Sequence, residues 1–138
     1  MSGHFKFTKI IVTDVDRLFA FYRDTFGMTQ IARIRQGEGK DELDEIVMGS
    51  AGSARGANAG HSLVIQRYPN RPIPACGEMT LGFIVADIDQ AIKVAVAAGA
   101  TIDRPVWAEA EHGIHVAFIK DPDGHLIEVV QMLEHQGS

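Results

Sequence analysis

Only one cysteine, Cys76, occurs in 138 residues. An intramolecular disulfide is therefore excluded, and so is a zinc site built from cysteines. This usage suits a reducing cytoplasm, which is the expected location. Cys76 itself lies in a proline-rich connector, Arg71-Pro72-Ile73-Pro74-Ala75-Cys76-Gly77, and reads as incidental. No apolar run approaches the length that spans a bilayer, and the N-terminus carries no apolar signal core, so neither a membrane partner nor a leader is expected. Clusters of Lys and Arg are missing too. With a formal net charge of −5, the chain gives nucleic-acid phosphates little to bind, and no nucleic-acid partner is expected. What remains, 46% hydrophobic and 22% charged residues, is the mixture of an ordinary globular protein, long enough for one compact domain with a buried core.

Taken in order, Phe5–Thr13 is β-like, and Asp14 or Asp16 caps a helix running to Phe26. Leu18, Phe19, Phe21, Tyr22, Thr25 and Phe26 form its apolar stripe, and Gly27 stands where a helix ends. Weaker strands follow near Met28–Arg35 and Leu43–Met48. A Gly-, Ala- and Ser-rich loop over 49–60 separates them from a stronger strand, Ser62–Tyr68. That loop reads either as a flap over a pocket or as a tolerated insertion.

After the connector the order begins again. Met79–Ala86 is a strand, Asp87 precedes a helix running to Ala98 with Gln90 placed as in a capping box, and Gly99 ends it. Three strands close the chain: Thr101–Trp107, Ile114–Lys120 and Leu126–Met132. Ile11-Val12-Thr13-Asp14-Val15-Asp16 matches Ile84-Val85-Ala86-Asp87-Ile88-Asp89 at a constant offset. An internal repeat of this kind sets the fold class. The chain reads as α+β: two tandem β-α-β-β-β modules, about 4–69 and 78–133 with a linker over about 70–77, forming a cupped, roughly eight-stranded mixed sheet with helices outside.

The last two strands flank Asp121-Pro122-Asp123-Gly124, a turn sequence, and so predict a hairpin. Within its second strand one carboxylate, Glu128, sits among Leu126, Ile127, Val129 and Val130. A half-buried charge is costly unless it is paired, hydrogen-bonded or bound to a cation.

The stretches Val12–Met28, Phe83–Asp89 with Ala97–Ala100, and Phe118–Glu128 together resemble the vicinal oxygen chelate superfamily. That group includes glyoxalase I, bleomycin-resistance proteins, fosfomycin-resistance enzymes and extradiol dioxygenases. The resemblance covers nearly the whole chain and implies a single glyoxalase/bleomycin-resistance-like domain, 1–138, usually a homodimer. It is less specific for function, because members share a cupped sheet and differ in chemistry. Metal-dependent members hold a divalent ion with four side chains, and the equivalent places here fall on Phe7, Val64 (within a residue), Thr80 and Glu128. Three of the four lack a strong donor, so no cofactor is predicted and a divalent metal is not expected.

In a cavity so depleted of ligands, Glu128 reads as a general base or as an acceptor for a ligand hydroxyl or amine. His115, on the paired strand, reads as its acid–base partner if the two share a face. Phe7, Val64, Thr80, His112 and Trp107 read as ligand-binding residues around an apolar pocket for a small organic molecule. Arg33, Arg35, Arg67, Tyr68 and Glu109 border the expected cavity, with surface salt bridges the plainer role for most of them, and His125 is taken as a structural turn residue. Two functions stay open: a metal-independent lyase or isomerase using Glu128 at an activated C–H, or a bleomycin-resistance-type binding protein that sequesters its ligand. A metal-dependent lyase or dioxygenase requires a different register.

Overall fold

The computed structural model describes residues 1–50 and 60–133, so residues 51–59 of the expected 49–60 loop lie outside the described residues. Two compact units are present. One is the first part of the chain through Pro74; the other begins at Ala75 and takes in Asp24–Phe26. Each carries one four-stranded sheet.

In the first, β1 (Phe7–Ile11) leads to α1 (Val15–Phe26), β2 (Thr29–Gln36), a 3-10 turn at Gly39–Asp41, β3 (Leu43–Gly49) and β4 (Ser62–Arg67), in sheet order β1-β4-β3-β2. Asp14 is the helix cap, its carboxylate accepting from the Arg17 N–H at 3.1 Å, while Gly27 closes the helix at φ 69°, a left-handed conformation that favours glycine. Val15, Leu18, Phe21 and Tyr22 are buried, and fully burying one such side chain contributes about 2 kcal/mol.

The second unit repeats the pattern with β5 (Thr80–Ile84), α2 (Ile88–Ala97), β6 (Thr101–Glu109), β7 (Ile114–Lys120) and β8 (Leu126–Met132), ordered β5-β8-β7-β6. Asp87 caps α2 through the Gln90 N–H, as its spacing predicted. The expected eight strands are thus present, hydrogen-bonded as two mixed four-stranded ladders, each with one parallel pair, β1 with β4 and β5 with β8. The register of β6 against β7 is irregular on both sides of Arg104. Neighbouring Pro105 has no N–H for the ladder, and β6 is an edge strand, where proline is tolerated.

The β7–β8 turn is built on one side chain. Asp121 is buried, and its Oδ1 accepts from the backbone N–H groups of Asp123 and His125, both at 2.9 Å. The His125 ring lies 2.8 Å from Oδ2. His125 is therefore committed to the turn, in keeping with its reading as a structural residue.

Candidate functional site

Side chains alternate between the two faces of a strand, so register decides which residues meet. In the second unit Glu128 pairs with Gly82 on β5 and with Phe118 on β7. The same face carries Thr80, Ile84, Val116, Val130 and, across β7, Arg104 and Trp107. The opposite face belongs to α2: the Gln131 side-chain carbonyl accepts from the Ile88 N–H at 2.8 Å, satisfying the first turn of that helix. Ile119, Ile127 and Val129 are fully buried on that side.

His115 pairs with Gln131 and Ala108. It therefore stands on the α2 face, away from Glu128, and the expected acid–base couple across the hairpin is not formed. The cause is the loop 121–125, which pairs Lys120 with Leu126 and thereby pairs odd with odd and even with even residues. A loop shorter or longer by one residue would have put the two on one face.

Glu128 is half-buried. Its carboxylate has no hydrogen bond or ion pair among the described residues. On one side the place of a side chain is vacant: a Cβ at Gly82 would meet no heavy atom within 4 Å. On the other side the rings of Phe118 and Trp107 stack, centroids 6.0 Å apart and planes 17° apart. The Arg104 guanidinium lies 3.7 Å over the Trp107 ring, and Trp107 Nε1 donates to Glu109 Oε1 at 2.8 Å. A carboxylate with open space on one side and an aromatic wall on the other can accept a proton or a hydrogen bond from an organic ligand stacked on the wall.

Thr80 is exposed on the same face, one step along β5. His112 is exposed in the turn between β6 and β7, where its backbone N–H donates to Glu109 O at 3.1 Å, and so lies off the sheet. Phe7 and Val64 belong to the first unit, Phe7 half-exposed on β1 and Val64 buried on β4. Phe118, Gly82 and Arg104 complete the face. Glycine inside a strand is the one signal in the sequence that could have announced them.

Phe7 and Val64 offer carbon only, Thr80 a neutral hydroxyl, and the strand neighbours of Glu128 are Gly82 and Phe118. Among the described residues no three His, Cys, Asp or Glu side chains are grouped to hold a metal. These residues do not fit the four-ligand site of metal-dependent members.

The first unit has polar groups of its own. Arg33 is held by Asp44, with bonds of 2.9 and 2.8 Å, and by Asp16 at 2.6 Å, tying β2 and β3 to the first turn of α1. Hydrogen bonding from Arg33 holds the Asp44 carboxyl below its ordinary range, and the two carboxylates raise the Arg33 guanidinium further still. Arg33 is thus structural, as its plainer reading has it. A cavity of about 580 Å³ opens among Arg35, Gln36, Glu42, Asp44, Arg67 and Pro69. None of the predicted binding or catalytic residues lines it. On the face away from α1, Glu45 is buried at 4% exposure beside Lys9, a carboxylate that sequence reasoning missed.

Comparison with known proteins agrees with this architecture. The model of the Glyoxalase/Bleomycin resistance protein/Dioxygenase superfamily matches residues 3–129. A probable lactoylglutathione lyase of Vibrio cholerae is 28% identical over 132 residues, 95% of this chain and 93% of the relative. Among solved structures, a glyoxalase family protein from Bacillus cereus superposes with a TM-score of 0.76 at 18% identity, covering 94% and 93% of the two chains. A genomically encoded fosfomycin resistance protein from Listeria monocytogenes gives 0.68 at 16% identity, covering 95% and 94%. With tandem β-α-β-β-β modules, the repeated helix caps and a family match across nearly its whole length, this chain belongs to the vicinal oxygen chelate superfamily, the glyoxalase, bleomycin-resistance and dioxygenase group.

Proposed function

We propose that the protein is a metal-independent lyase or isomerase of small organic molecules, in which Glu128 is the general base. The observation that carries this reading is the Glu128 carboxylate, half-buried and without a partner among the described residues, next to the open place at Gly82. A base must keep a lone pair for the substrate, and a carboxylate already committed to an arginine or lysine would not. In the proposed step Glu128 takes a proton from a C–H next to a carbonyl and the electron pair moves onto the carbonyl oxygen; the proton then returns to the same carbon or, where that carbon bears a hydroxyl whose proton passes to the former carbonyl oxygen, to the former carbonyl carbon, leaving the hydroxyl-bearing carbon as the new carbonyl. Phe118 and Trp107 hold the substrate's apolar part, with Thr80 at the margin. The curated relatives named as lactoylglutathione lyases favour lyase chemistry over pure sequestration. A second reading, ligand sequestration without turnover, draws on the Arg104–Trp107–Phe118 stack, which by itself would bind a flat molecule. A homodimer in the cytoplasm belongs to the same proposal.

The test uses S-lactoylglutathione as probe in deuterium oxide. Exchange of the C–H next to its thioester carbonyl is expected for the wild type and is expected to fall at least about 100-fold in Glu128→Gln, with affinity changed far less. Equal exchange in both proteins would remove Glu128 as base. Saturable binding without exchange in the wild type would favour sequestration.

A further inference from the structure

The cavity of about 580 Å³ in the first unit takes no part in the Glu128 reading. It opens where β2 and β4 end and β3 begins. Arg35, Asp44 and Arg67 stand there side by side, in register across the three strands. Alternation puts them on the face of Arg33, which bonds to Asp16 on α1, and not on the face of Phe7, Lys9 and Val64. The walls are fastened to each other. Beyond β4 the Asn70 amide donates to Gly39 O at 2.7 Å, and Arg71 donates to Lys40 O at 2.6 Å and to Asp41 Oδ1 at 2.8 Å, so the chain after Pro69 is tied to the β2–β3 turn. Gly37 keeps that turn tight: its φ is 79°, and a side chain there would run into the Asp41 carbonyl. Buried Leu43 and Pro69 add apolar surface, and the volume suits a small organic ligand.

Charge selects the class. Both Asp44 oxygens accept from Arg33, at 2.9 and 2.8 Å, and Arg35 Nε approaches one of them at 3.4 Å. Arg67 donates to the Thr13 carbonyl at 2.8 Å and has no carboxylate partner among the described residues. Three arginines thus stand against two aspartates, Asp16 and Asp44, and one positive charge is left over on the strands. Glu42, on the turn side of the cavity, carries the opposite charge; it is exposed, and its carboxylate has no hydrogen bond or ion pair among the described residues. A lining that is neutral in sum but divided between strands and turn matches a ligand divided in the same way. We propose that this cavity binds a small zwitterion, whose carboxylate bridges Arg35 and Arg67 and whose ammonium meets Glu42. Neighbouring strands lie about 4.8 Å apart, so arginines on either side of β3 start about 10 Å apart and can converge on one carboxylate. The site is built wholly from the first unit and goes beyond the proposed lyase function.

The experiment is an amide NMR titration of the full chain near neutral pH with three probes of similar length. 4-Aminobutyrate carries both charges, butyrate only the carboxylate, and butylammonium only the ammonium. Saturable shifts at Gly37, Glu42, Asp44 and Arg67 are expected for 4-aminobutyrate, with affinity at least about five-fold above that for either other probe. Glu42→Gln is expected to bring 4-aminobutyrate down to the affinity of butyrate, and Arg67→Met to remove the shifts of both carboxylates. Glu42 is exposed and its side chain bonds to nothing among the described residues, so its variant decides the matter even if loss of the Arg67 bond to Thr13 impairs folding. Equal affinity for 4-aminobutyrate and butyrate, tighter binding of butylammonium, an unchanged preference in Glu42→Gln, or shifts confined to other residues would overturn the proposal.

Discussion

Module one sets its carboxylate on β3, opposite Gln66 and under Lys9, whereas module two sets its carboxylate on β8, between Phe118 and Gly82. The repeat allows the two faces to be laid over each other place by place. Lys9 corresponds to Gly82, Phe7 to Thr80, and Val64 to Glu128; Glu45 and Gln66 correspond to Val116 and Val130. Among these paired places each module thus has one acidic side chain, moved by one strand and two residues. At the place where module one puts a lysine, module two has a glycine with space around it. One carboxylate has a counter-charge within its module, and the other has no hydrogen bond or ion pair among the described residues. The two modules share one scaffold, and at equivalent places on their first strands one carries a lysine and the other a glycine.

Converting one arrangement into the other is the strongest way to break this comparison. Gly82→Lys is designed to set an ammonium beside Glu128, as Lys9 stands beside Glu45, and the added Cβ would meet no heavy atom within 4 Å. The expected result is loss of deuterium exchange by about 100-fold or more, since the base would be paired, with urea melts little changed. Retained exchange would mean that Glu128 is not the base.

The reverse change tests module one. Lys9→Met should leave Glu45 buried without its counter-charge and destabilise the protein by about 2 kcal/mol, less than a fully buried pair because Lys9 is partly exposed. Urea unfolding reads this directly. An unchanged midpoint would show that Glu45 is satisfied by something other than Lys9.

A smaller effect is expected at Asp44, which braces the module one sheet on the opposite face from Glu45 and has a partner of its own, Arg33. Asp44→Asn should cost about 1 kcal/mol at pH 7 through its bidentate bonds with Arg33. Because Arg33 lowers the Asp44 pKa in the fold, this stabilisation is complete above the unfolded carboxyl value of about 3.9 and disappears as pH falls through the lower folded value. Urea melts of both proteins should therefore differ at pH 7 and converge toward pH 2. A difference that grew on acidification would contradict the assignment.

Much of the fold was legible because its signals are local. Asp14 and Asp87 cap their helices where spacing placed them, Gly27 ends α1, and the Asp121 turn joins β7 to β8. The site was legible only in part. Glu128 stands out because a lone charge interrupts an apolar strand, but the face of His115 depends on whether the loop before β8 has an odd or even length, which residue propensities do not encode. Glu45 escaped because Asp44 beside it gives β3 the look of a solvated acidic strand. In the fold Asp44 turns to Arg33 on the α1 side and Glu45 to Lys9 on the other, so neighbouring acids on one strand have separate partners.

The central claim is that module two's carboxylate is the one open to a ligand. It is tested most directly by carbon NMR of protein labelled at the glutamate side-chain carboxyls, titrated with S-lactoylglutathione and with resonances assigned through Glu128→Gln and Glu45→Gln. The account predicts a saturable shift of the Glu128 resonance that persists in Glu45→Gln. A Glu128 resonance that stays fixed while the probe binds elsewhere would contradict it.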